Sequence, residues 1–202
     1  MTVPVEELVV EGRTALRRGD AAGARLAFER AVTEVPSGDV LEGLARASYL
    51  DLDFPTAIQG WERAYTAHRD AGDRNGAMRV ARAIGYMYFA IVGDRAVAGG
   101  WIAPTQTLLV DAGDTSEVGW VSLNIGMFEG DHVRKEALFR EALEVARRFG
   151  DVDLELVTLA YLGATLVHAD RTEEAMVLLD EALAAVAGDE TDDFAVLEEI
   201  DR

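Results

Sequence analysis

Cysteine is absent from the 202 residues, which excludes disulfides, thiolate nucleophiles and thiolate metal ligands. Proline occurs four times and half of the residues are hydrophobic, the balance of a folding chain and not of a disordered one. No apolar run approaches the roughly 20 residues that cross a bilayer. The opening Met1-Thr2-Val3-Pro4-Val5-Glu6-Glu7 lacks a basic stretch followed by an apolar one, so it does not read as a signal peptide. Cytoplasm is therefore the expected compartment. Lysine is nearly missing: Lys135 stands beside eighteen arginines, a usage that fits a GC-rich genome better than any function.

Positive charge as a whole is scarce. The net charge is −18, which argues against nucleic acid and anionic membrane as direct partners, because a phosphate surface must be met by clustered Lys and Arg. The deficit is uneven. Residues 1–100 carry 12 basic and 14 acidic side chains, and residues 101–202 carry 7 and 23, so −16 of the −18 sits in the second half.

What is present is a repeat. The dipeptide Gly-Asp occurs eight times, at Gly19, Gly38, Gly72, Gly93, Gly113, Gly130, Gly150 and Gly188. Glycine ends a helix by taking the left-handed conformation, and aspartate accepts hydrogen bonds from the first N–H groups of the next helix. Between these marks the apolar residues fall at helical spacing, and no run shows sustained strand alternation. In the first unit, Gly12 and Ala24 allow close helix approach, while Phe28 is placed to fill the space between one hairpin and the next. Trp61, Ile102, Phe139 and Leu179 follow Phe28 at intervals of 33, 41, 37 and 40 residues.

With Gly12, Gly19, Ala24, Phe28, Ala31 and Pro36 at fixed offsets, the chain resembles the tetratricopeptide (TPR) repeat, a helix–turn–helix unit of about 34 residues. The resemblance implies an all-α, right-handed superhelix of about five helical hairpins plus a C-terminal helix. It would be a single solenoid, with repeats at about 5–37, 38–72, 73–113, 114–150 and 151–188. The capping box Asp170-Arg171-Thr172-Glu173 is expected to open the last second helix. In the third repeat, Gly99-Gly100 and Pro104 stand where a second helix should run. That helix is expected to start late, near Ala103, or to be kinked there. Residues 189–202 read as one more amphipathic helix, either a cap or the first half of a sixth repeat.

The stretches 12–20, 139–151 and 159–163 also look like the TPR region of actinobacterial LuxR-type transcriptional regulators. Those carry a C-terminal helix-turn-helix, and no basic recognition helix is present here, so DNA binding does not transfer to this chain.

Chemistry is hard to find. His132 and Glu136 are spaced i, i+4 as two metal ligands could be, but nothing completes a site and surface pairing is the expectation. His68 suits a helix C-terminus, and His168 reads as solvent-facing or capping. No phosphate loop, nucleophile elbow or zinc-protease motif occurs. No catalytic residue, cofactor or metal is expected.

The working surface implied by the TPR resemblance is the concave face lined by the first helix of each hairpin. The groove residues are Arg13, Arg17, Arg46, Tyr49, Arg79, Arg82, Tyr86, Phe89, Phe128 and Tyr161. Arginine and tyrosine dominate binding hot spots, and guanidinium forks grip carboxylates at two points. The expected partner is a protein or peptide, acidic at one end and apolar toward the fourth and fifth repeats. The alternative is that the arginines pair internally with Glu42, Asp51 or Asp53. A sensing role would instead place a small molecule at Tyr86, Phe89, Phe128 and Tyr161. The acidic segment 189–202 is a further candidate occupant, giving autoinhibition, self-association or head-to-tail assembly.

Overall fold

The computed structural model describes residues 3–109 and 115–187. Among these there are ten α-helices and no strand: α1 (Val5–Arg17), α2 (Ala21–Glu34), α3 (Gly38–Leu50), α4 (Phe54–Asp70), α5 (Arg74–Tyr86), α6 (Arg95–Leu109), α7 (Glu117–Phe128), α8 (His132–Phe149), α9 (Val152–His168) and α10 (Thr172–Ala187). A π-helical turn, Met87–Val92, extends α5. Two compact units result, residues 1–112 and 113–202. The first packs α1 on α2, α2 on α3, α3 on α4 and so on to α6; the second stacks α7 to α10 in the same serial manner.

Four of the eight Gly-Asp marks work by one mechanism. Gly19, Gly72, Gly93 and Gly150 sit at φ of 65–79°, the left-handed region that costs a side chain-bearing residue most. The aspartate that follows then caps the next helix. Asp20 accepts from the Gly23 N–H at 2.9 Å, Asp73 from Gly76 at 3.0 Å, and Asp151 from Leu154 at 3.0 Å. Two marks lie outside the described residues, at Gly113 and Gly188, as does the whole segment 189–202.

Gly38-Asp39 departs from the rule. Ser37 is the cap there, and Gly38 already belongs to α3. A Cβ on Gly38 would stand 2.6 Å from the His68 ring, so this glycine serves packing and not a turn. The capping box at Asp170 is also not formed. Asp170 takes φ 58° and the Arg171 carbonyl accepts from the Ala175 N–H, so Asp170 does what glycine does elsewhere and Arg171 stands at the cap position.

Four of the five anchors lie over glycines of first helices. A Cβ at Gly12 or Gly43 would come within 2.6 and 2.3 Å of the Phe28 ring, which is therefore clasped between α1 and α3. Ile102 lies on Gly85, Phe139 on Gly126 and Leu179 on Gly163 in the same way. Each closes its own layer of core, and together they make α1 to α6 and α7 to α10 two runs of like contacts.

Helix α6 corrects the expectation of a late start. It begins at Arg95, capped by Asp94, which accepts from the N–H groups of Ala96 and Val97 at 3.1 and 3.0 Å. Pro104 lies inside it and withholds one backbone donor. Burial of Ala98, Ile102 and Thr105 against α5 outweighs that loss and the poor propensity of two glycines. Unlike the anchor glycines, Gly99 and Gly100 have no atom within 4 Å of where a Cβ would be. Gly99→Ala and Gly100→Ala are therefore expected to stabilise the protein by up to about 1 kcal/mol each, read as a rise in melting temperature. A fall would show that the helix backbone there is not as described.

Candidate functional site

The first helices of the first unit, α1, α3 and α5, bring a set of charged residues together that are far apart in sequence. Glu42 on α3 is buried, 5 % exposed, and is the centre of the set. Arg79 from α5 grips it with a two-point fork, Nε to Oε1 at 2.9 Å and Nη2 to Oε2 at 2.8 Å. Arg46, one turn along α3, stands 3.3 Å from Oε1. His68, from the end of α4, places Nε2 3.5 Å from Oε2, at the outer limit of a hydrogen bond. Its Nδ1 lies 2.7 Å from Asp73, the cap of α5.

Nearer the solvent, Asp39 receives Arg79 at 3.4 Å and Arg13 of α1 at 3.6 Å, both on the same oxygen. Burial works against ionisation of Glu42, but His68 and the guanidinium groups of Arg46 and Arg79 overcome it and hold the carboxyl well below its usual range. Glu42 in turn raises His68 above its ordinary value, against its burial and with help from Asp73. Asp73 is lowered: its own burial opposes this, while the Gly76 N–H and the His68 charge favour the anion.

Arg46 and Arg79 pair internally with Glu42, one of the three acids named from the sequence, while Arg13 and Arg79 meet Asp39, which was not among them. Asp51 instead pairs with Arg25 of α2, and Asp53 caps α4 through the Thr56 N–H. Arg13 and Arg17 are exposed, and Arg46, Arg79, Tyr86 and Phe89 are half-buried. Tyr49 is not a lining residue: it is 8 % exposed, its ring about 6 Å from those of Phe54 and Trp61. Arg82 is likewise buried. Phe89 carries the Arg95 guanidinium 5.0 Å from its ring centre. Phe128 and Tyr161 belong to the second unit; both are half-buried, and Tyr161 packs on Phe139 with ring centres 5.9 Å apart.

His68 lies in the last turn of α4, as the sequence indicated, but its burial was not foreseen. It is 3 % exposed, wedged under Gly38 and Gly76 at the starts of α3 and α5. Those two glycines, each one or three residues past a helix cap, were the available signal: neither is needed for a turn. Asp39, Glu42 and His68 offer ligand atoms within 4.8 Å of one another. A cation there would have to displace the Arg79 fork from Glu42 and the single Arg79 contact from Asp39.

The second unit treats its arginines differently. Glu136, which the sequence paired with His132, is held by Arg140 and Arg171, each at 2.8 Å, and Arg140 also reaches Glu174 at 2.7 Å. Arg147 joins Glu155 and Glu181 at 2.7 and 2.8 Å. These links tie α8 to α9 and α10. The His168 ring meets the Ala164 carbonyl at 2.7 Å.

Serial helix pairs, anchors on glycine and capped two-residue turns can be compared with solved proteins. A thermophilic TPR protein of Thermus thermophilus superposes with a TM-score of 0.69 over 98 % of this chain and 99 % of its own, at 18 % identity. The fold is TPR-like. BtubC (BKLC) from P. vanneervenii matches with a TM-score of 0.67 over 92 % of this chain and 81 % of its own, at 16 % identity. At such identities the likeness is one of fold alone. No family model matches the sequence, and no curated protein matches it. The arginines and carboxylates of the network just described come from the first helices α1, α3 and α5 and the cap of α5, with His68 added from α4. No helix among the described residues is long and apolar enough to cross a membrane.

Proposed function

We propose that this chain is a non-catalytic, cytoplasmic protein-interaction module that holds a protein or peptide segment on the first-helix face of residues 1–112. One observation carries the reading: in a chain of net charge −18, Arg13, Arg17, Arg46 and Arg79 gather on α1, α3 and α5. Half-buried Tyr86 and Phe89 continue that face along α5 and its π-helical extension. Carboxylates suit such a surface, and nucleic acid and anionic membrane do not suit so acidic a chain. A TPR-like fold supports a protein partner as the general class, while fold alone names no partner.

The second reading, a sensing portion of a LuxR-type regulator without its own helix-turn-helix, rests on the three sequence stretches quoted for it. Self-association through residues 189–202 rests on their acidic, amphipathic composition.

Selection from a displayed random-peptide library tests the main reading. Wild type is expected to enrich acidic peptides with apolar neighbours, and Arg13→Glu/Arg17→Glu to lose them. Both residues are exposed, so the fold is expected to survive, with helical content as the control. Peptides retained equally by the double variant would sink the assignment of the face.

A further inference from the structure

Two guanidinium groups from different helices, Arg13 of α1 and Arg79 of α5, converge on a single exposed carboxylate, Asp39 of α3, and on the same oxygen of it. Resting on the reading above, we propose that Asp39 is an internal stand-in for the partner: an acidic side chain of the bound peptide takes its place between Arg13 and Arg79.

The two carboxylates of the network are unequal in the way this requires. Glu42 is buried and receives a two-point fork with contacts of 2.8 and 2.9 Å. It is fixed structure. Asp39 has half of its side chain in solvent, and its contacts are 3.4 and 3.6 Å with no fork. Exposed pairs of this geometry contribute little, so exchange for an incoming carboxylate is nearly neutral in cost. The exchange needs no movement of Arg79, which stays aligned by Glu42 and shares Nη2 between Glu42 at 2.8 Å and the seat at 3.4 Å. Arg13 has 58 % of its side chain exposed and is the more exposed half of the seat.

The partner chemistry follows from the donors. Guanidinium groups of Arg13 and Arg79 meet at the seat, where one carboxylate can accept from both, and the seat lies in the unit that holds little of the net negative charge. Residues 1–100 carry 12 basic against 14 acidic side chains. The fitting occupant is a Glu or Asp side chain of a peptide lying across α1, α3 and α5. While Asp39 is in place it screens the seat, so its removal should improve binding. An ordinary surface aspartate would have no effect, and a structural one would weaken binding through the fold.

The probe is a fluorescein-labelled peptide of alternating glutamate and leucine, with the glutamine–leucine peptide beside it, measured by anisotropy on the full chain. Asp39→Asn is expected to bind the glutamate peptide about 3–10-fold more tightly than wild type, the range of one exposed charge pair or a little more. The glutamine peptide should show no gain, and adding Arg13→Gln to Asp39→Asn should abolish it. Equal or weaker binding by Asp39→Asn at unchanged melting temperature overturns the seat, as does a gain shared by the glutamine peptide. If that happens while Arg13→Glu/Arg17→Glu still loses the library-selected peptides, the face stands and only the seat fails. Loss of neither sinks both.

Discussion

Phe28→Ala is expected to lower the free energy of unfolding by about 3–5 kcal/mol, seen as a lower urea midpoint at nearly unchanged slope. The ring is 1 % exposed and is clasped by two glycines from different helices, Gly12 of α1 and Gly43 of α3. Removing it opens a cavity between the first hairpin and the second. Helices held at that distance by their other contacts cannot close it, so the cavity adds to the transfer cost.

The same geometry makes Gly43→Val destabilising on its own. The added Cβ would stand 2.3 Å from a ring carbon, and overpacking of this kind costs about 1–3 kcal/mol. In the Phe28→Ala background the obstacle is gone, and valine partly fills the hole. The double variant should therefore be more stable than the sum of the two losses indicates, and by more than the roughly 0.5 kcal/mol scatter of independent sites. Additive losses would show that Phe28 and Gly43 do not touch.

That contact was legible in the sequence in outline. Phe28 was placed between hairpins because it recurred, as Trp61, Ile102, Phe139 and Leu179, at repeat spacing. Periodicity is a property of the chain itself, and so is the left-handed turn that Gly19 or Gly72 makes possible. Where a residue could do its job with near neighbours, the reading needed no tertiary knowledge. It went astray where the neighbours were distant. Gly38 looked like a turn glycine because it precedes Asp39, yet its role is set by His68, thirty residues on. Gly99 and Pro104 looked like a helix break because propensity is local, yet Ala98 and Ile102 pack on α5 and hold the helix. The arginines of the face were found as a group, but their shared counter-ions were not. Which acid meets Arg79 depends on how α3 and α5 are set side by side, and that is fixed by Phe28, Trp61 and their layers and not by anything near residue 79.

Glu42→Gln is the second large effect, expected to cost about 3 kcal/mol near pH 6, at the lower end for breaking a buried pair because glutamine keeps one acceptor oxygen. The variant leaves Arg46, Arg79 and protonated His68 facing a neutral amide. The sign of the pH dependence separates this from mere loss of packing. His68 is raised above its ordinary 6.5, so its contribution is fully present below that pH and is lost as pH climbs through the raised value. Glu42 and Asp73 are lowered from 4.5 and 3.8, so theirs are present above those values and are lost only in stronger acid. Wild type should show its most stable interval from about pH 4.5 to 6.5, then decline on the alkaline side. In Glu42→Gln the group that raises His68 most is gone, burial pulls it the other way, and the alkaline decline should flatten. The gap between the two proteins is thus widest in the stable interval and narrows above it. His68→Gln should flatten the same limb while leaving the acid limb to Glu42. Self-repulsion of the remaining negative charges grows with pH in all three proteins, so the comparison is of differences in urea midpoint across pH 5–9. Parallel profiles for wild type and Glu42→Gln would show that Glu42 does not raise His68, and that any charge His68 carries is held by Asp73.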